Sequence, residues 1–145
     1  MTELQAFRNE ISNYNFYINQ VKKIREQIND QFYMYFGVRG SDPSKLILEN
    51  KNQSRQELEM LYKIEKYNKF KKEKEIELKR INNQINYIKR TLNRFDKLTR
   101  KIFVYIYIYN ISYIETCLRL NLVDSKGKPK IGELQYLMKK AFKDD

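Results

Sequence analysis

No glycine or proline falls between Pro43 and Gly127, and none precedes Gly37. A chain with so few breakers must build few, long elements. The apolar spacing says which kind. In the first segment, about Thr2 to Phe36, apolar residues recur at Leu4, Phe7, Ile11, Tyr14, Ile18, Val21, Ile28, Phe32 and Tyr35. These steps alternate three and four, which draws one stripe along one helix face, as in the seam of a coiled coil. Arg25 is the one polar residue in the register, and Ile24 beside it can cover the gap. Such a helix spans on the order of 50 Å at about 1.5 Å per residue. Gly37 stands where a C-cap glycine belongs.

Residues 37–53 are expected to form a loop, with Leu46, Ile47 and Leu48 a possible short turn packed on the helices. A second long helix is expected from about Ser54 to Arg94, opened by Ser54 and Glu57 at capping-box spacing. Its seam is clean at Leu78, Ile81, Ile85, Ile88, Leu92 and Phe95, but the same register meets Lys74 and Lys71 further back. The plainer reading of that polar heptad is a solvated stretch; the sharper one is a charged patch with a purpose. Two seamed helices joined by one loop imply an antiparallel hairpin, paired within the chain, with a second subunit, or both.

Asp96 opens a third helix to about Tyr109. Asn110 then breaks the chain, and Ser112, with Glu115 three residues on, caps a fourth helix ending near Asn121. Val123 to Pro129 reads as a loop. A last helix, about Lys130 to Phe142, turns Ile131, Leu134, Leu137, Met138 and Ala141 inward. The expected fold class is all-α: a long antiparallel helical hairpin or coiled coil over 1–94, then a helix-turn-helix module over 95–145.

Composition narrows the chemistry. There is no histidine and one cysteine. A Ser-His-Asp or Cys-His pair, a zinc cluster and an intrachain disulfide are all excluded. Cys117 on an apolar helix face reads as a core residue, and its lack of a partner fits a reducing cytosol. Glu73, Glu75 and Glu77 lie on charged helix faces without a pocket. The expectation is therefore no enzyme, no metal and no cofactor. The most apolar run, Ile102 to Ile111, is too short to span a bilayer and includes Tyr105, Tyr107, Tyr109 and Asn110. The N-terminus lacks the pattern of a signal peptide. A cytoplasmic protein with no membrane partner is expected.

The net charge is +11, and it is concentrated. Residues 63–101 hold fourteen lysines and arginines against five acids, whereas residues 102–145 hold seven against five. The segments before them are balanced. A concentrated basic stripe is the electrostatic footprint of a polyanion partner. The rival reading is a solvated coiled-coil face. Three short C-terminal helices, the last preceded by a turn, follow the layout of a helix-turn-helix, whose second helix enters the DNA major groove. Candidate DNA-contacting residues are Arg94, Lys97, Arg100 and Lys101 at the basic junction, and Lys126 and Lys128 in the turn. On or beside the last helix they are Lys130, Glu133, Gln135, Tyr136, Lys139 and Lys140. Glutamine suits adenine edges and lysine suits guanine or phosphate. Glu133 reads equally as a dipole-complementing residue and Tyr136 equally as packing.

The stretch Phe95-Asp96-Lys97-Leu98-Thr99-Arg100 through Tyr109-Asn110-Ile111-Ser112-Tyr113-Ile114-Glu115 resembles region 4 of bacterial sigma factors and related phage regulators. The final Leu134-Gln135-Tyr136-Leu137-Met138-Lys139-Lys140-Ala141-Phe142 stands where their recognition helix stands. A long helix ending in Tyr35-Phe36-Gly37-Val38-Arg39-Gly40-Ser41-Asp42-Pro43-Ser44-Lys45, then a coiled-coil helix, then a sigma-like module, is similar to phage late-transcription activators of the RinA, ArpU and LtrC kind. The turn departs from that pattern: 121–130 is longer and carries Gly127 and Pro129. The resemblance implies binding of double-stranded DNA near a late promoter in the cytoplasm of a bacterial host, with host RNA polymerase as partner. A homodimer through the long helices is expected to space two modules on DNA. Two other functions fit the same residues: a coiled-coil adaptor or antagonist that binds protein and not DNA, and a small DNA-packaging subunit.

Overall fold

A computed structural model describes residues 2–37 and 54–143; the expected turn at Leu46–Leu48 and most of the 37–53 loop lie outside them. Among the described residues the fold is all-α, with six α-helices and no sheet. They are α1 (Glu3–Ser12), α2 (Tyr14–Phe36), α3 (Ser54–Arg94), α4 (Lys97–Phe103), α5 (Tyr113–Arg119) and α6 (Ile131–Lys140). A π-helical segment, Val104–Ile108, follows α4 directly.

The expected single first helix is interrupted at Asn13. Ser12 Oγ donates to the Arg8 carbonyl and Asn13 Nδ2 to the Asn9 carbonyl. Side chains of this type compete with the backbone for helix carbonyls and bend or break the ladder. Several local signals do set the ends. Thr2 and Gln5 form a reciprocal capping box on α1. Asp96 Oδ1 accepts from the Thr99 amide and Ser112 Oγ from the Glu115 amide. Gly37 takes φ +72° and donates to the Tyr33 carbonyl, the left-handed turn a glycine makes without strain.

Contacts divide the chain into two units, residues 18–82 and residues 1–17 with 83–145. In the first, Val21, Ile24 and Phe32 of α2 and Tyr67 and Ile81 of α3 are buried. Phe32 and Phe36 meet the Tyr67 ring edge-on at 5.3 and 5.8 Å. Ile24, not Arg25, fills the gap in the α2 seam. The two polar residues in the α3 seam find partners along the helix: Lys71 pairs with Glu75, and Lys74 pairs with Glu77 and lies over the Phe70 ring. Exposed pairs of this spacing contribute only about 0.3–0.5 kcal/mol each, so they keep the stretch helical and soluble without anchoring it.

The second unit centres on Phe7, which is fully buried. Phe103, Phe142, Phe95 and Tyr87 surround it, with ring centroids 5.3 to 6.3 Å away. Ile85, Ile88, Leu92, Ile102, Cys117, Leu134 and Met138 complete this core. Helix α6 packs on both α4 and α5, and α1 packs on the π-helical segment. That segment was expected to continue α4. Its wider turn carries Tyr109 N–H to the Val104 carbonyl, and Asn15 Nδ2 caps the Ile108 carbonyl at 2.7 Å. Phe103 stacks on Tyr107 and Tyr105 on Tyr109 along it.

Candidate nucleic-acid interface

Leu134 and Met138 anchor α6, both fully buried. Leu137 beside Met138 is half-buried, and Glu133, Gln135, Tyr136, Lys139 and Lys140 are all exposed. These are the side chains that the sequence pattern assigns to base reading. Glu133 also pairs with Lys130 at 3.6 Å across the first turn, which supports its structural role.

The turn before α6 is more ordered than a loop. Val123 and Pro129 form an antiparallel bridge, Asp124 N–H donates to the Lys128 carbonyl, and Lys130 N–H donates to the Leu122 carbonyl. The Asp124 carboxylate accepts from the amides of Lys126 and Lys128 at 2.8 and 2.9 Å. Gly127 takes φ +80° at the tip, where a side chain is strained. The result is a small stapled hairpin that holds Lys126 and Lys128 out in solvent.

At the basic junction the expected residues separate into two kinds. Lys97 and Lys101 are exposed one turn apart on α4. Arg94 and Lys140 share the wall of a cavity of about 300 Å³ with Phe95, Asp96, Thr99 and Leu137. Hydrogen bonding from Thr99 is the main cause holding the Asp96 carboxyl below its usual range, and Lys140 adds to it. Arg100 is turned inward instead. Its guanidinium donates to the carbonyls of Leu92 and Phe95, closing the C-terminal end of α3.

Arg8, which the sequence pattern does not single out, lines a second cavity with Lys139 and Lys143. No local signal marks it, because its neighbours come from the far end of the chain. Cys117 is fully buried, and burial pushes its thiol up, as expected of a core cysteine. Among the described residues no group of three or more His, Cys, Asp or Glu is placed to hold a metal, and no helix is long and apolar enough to cross a membrane.

Comparison with protein-family models, with curated proteins and with solved structures finds no match for this chain.

Proposed function

We propose that this chain is a sequence-specific binder of double-stranded DNA that regulates transcription, an activator of the phage late-gene type. The observation that carries this reading is α6: two apolar anchors fully buried, and Lys130, Glu133, Gln135, Tyr136, Lys139 and Lys140 exposed on its other side. A helix so mounted can lay Gln135, Tyr136 and Lys139 against base edges. The stapled hairpin with Lys126 and Lys128, and the junction with Arg94, Lys97, Lys101 and Lys140, supply cations for flanking phosphates. In this reading α5 and α6 are the helix-turn-helix, with the hairpin as its enlarged turn. The long helices form an antiparallel hairpin that joins two copies, and RNA polymerase is the protein partner.

Fluorescence anisotropy with duplexes from the flanking genome tests the reading at two salt concentrations. Affinity is expected to fall steeply with salt. Changing Lys139 and Lys140 together to Glu is expected to abolish binding and leave helicity unchanged. Binding that survives this double change rules out α6 as the reading element.

A second reading, a protein-binding adaptor, draws support from Leu58, Leu61 and Tyr62 on α3, which are 68, 47 and 59% exposed. It expects no salt-dependent DNA affinity, so the same titration separates the two.

A further inference from the structure

The cavity beside Arg8 encloses about 540 Å³, within the ordinary range for small-molecule sites. Leu4 and Phe142 give it apolar walls, and Arg8, Lys139 and Lys143 bring three cations to it. Glu3 is the single carboxylate among these lining residues, against three cations. Thr2 and Gln5 also line it, but their side chains are spent on each other's backbone in the α1 capping box. The Arg8 Nε–H is closed off from solvent and does not face the cavity, so what Arg8 brings to it is its positive charge.

We propose that this cavity binds a small organic anion: a carboxylate or comparable oxyanion on a short apolar body. Arg8 and Lys139 meet the oxyanion, and Leu4 and Phe142 meet the apolar body. The apolar walls select against a bare phosphate, and the three cations select against a neutral alcohol. A DNA phosphate supplies the same charge but no apolar body, which makes the two sources separable. The site does not depend on the DNA-binding reading, since its ligand is tested without DNA.

Octanoate is the probe, titrated into the full chain and followed by calorimetry and amide NMR. Saturable binding with one site is expected, with shifts centred on Leu4, Gln5, Arg8 and Phe142. Octan-1-ol and inorganic phosphate are each expected to bind at least about tenfold more weakly, the factor that about 1.4 kcal/mol produces. Arg8→Gln is expected to weaken octanoate about tenfold, as the loss of one charge-assisted hydrogen bond does. Lys139→Gln, at an exposed position that leaves the core intact, is expected to weaken it in the same direction. Absence of saturable binding, shifts centred elsewhere, phosphate binding as tightly as octanoate, or affinity unchanged in the Lys139 variant each overturns the proposal.

Discussion

Arg100 Nε donates to the Leu92 carbonyl at 3.0 Å, and its Nη2 donates to the Phe95 carbonyl at 3.2 Å. A helix leaves its last carbonyls without intrahelical partners. Here a side chain from the next helix reaches one of them, on Leu92, and the Phe95 carbonyl just beyond the helix, so α4 is locked to the end of α3. Arg100→Met keeps much of the aliphatic stem and removes both donors. It is expected to cost about 1.5–3 kcal/mol, the range for a hydrogen bond to a charged group. Urea denaturation reads this directly. Unchanged stability combined with lost DNA affinity would return Arg100 to the list of phosphate contacts.

Phe7 makes the N-terminal helix part of the C-terminal core. It is fully buried and meets Tyr87 of α3, Phe95 between α3 and α4, Phe103 of α4 and Phe142 after α6. Phe7→Ala removes a large buried ring and leaves a cavity, which costs about 3–5 kcal/mol. That is a large share of the stability of a domain this size. The expected result is a loss of cooperative unfolding or a strongly lowered urea midpoint. A variant as stable as the parent would mean that α1 is dispensable for the module.

Tyr107 gives the fold a defined alkaline limit. Burial is the main cause that pushes its phenol up to about 12, and Tyr113 adds to it while Arg8 opposes. An unfolded tyrosine ionises near about 10. The folded state therefore holds its proton longer than the unfolded state does. The stabilisation is fully present below pH 10 and is lost as pH rises through 10 towards 12. Tyr17 and Tyr67 are raised in the same direction, also mainly by burial. Tyr107→Phe is expected to flatten the fall of the urea midpoint between pH 9 and pH 12. Parallel curves for parent and variant would remove Tyr107 from the alkaline transition.

The parts of this fold that were legible in the sequence are those set by residues close together in the chain. The run Leu78, Ile81, Ile85, Ile88, Leu92 and Phe95 marks the buried side of α3 because a helix returns to the same face every three to four residues. Asp96, Ser112 and Gly37 mark helix ends because a cap acts within one turn. The outward face of α6 was legible for the first reason. What was not legible depends on distant partners or on backbone competition. Leu4, Phe7 and Ile11 continue the α2 register in sequence, so nothing local shows that Phe7 belongs with Phe103 and Phe142. Arg100 looks like any cation in a basic run until its distances to Leu92 and Phe95 are known. The π-helical turn at 104–108 interrupts a Val-Tyr-Ile-Tyr-Ile run whose pattern fits helix or strand. Val123 to Pro129 reads as a loop in sequence, whereas Asp124 and the Val123–Pro129 bridge close it into a hairpin.

That hairpin makes the DNA-binding proposal quantitative. Lys126 and Lys128 project from a turn fixed by one carboxylate, so their reach to phosphate is set before binding and little ordering entropy is lost. Each lysine that neutralises a phosphate steepens the fall of log affinity with log salt by about one. Lys126→Gln with Lys128→Gln is therefore expected to reduce that slope by about two and to weaken all sequences alike. Asp124→Ala keeps both charges but frees the turn. It is expected to weaken binding while leaving the slope close to the parent's. If the double lysine variant keeps the parental slope, the hairpin lies away from the phosphates, and the cations at Arg94, Lys97, Lys101 and Lys140 account for the salt dependence.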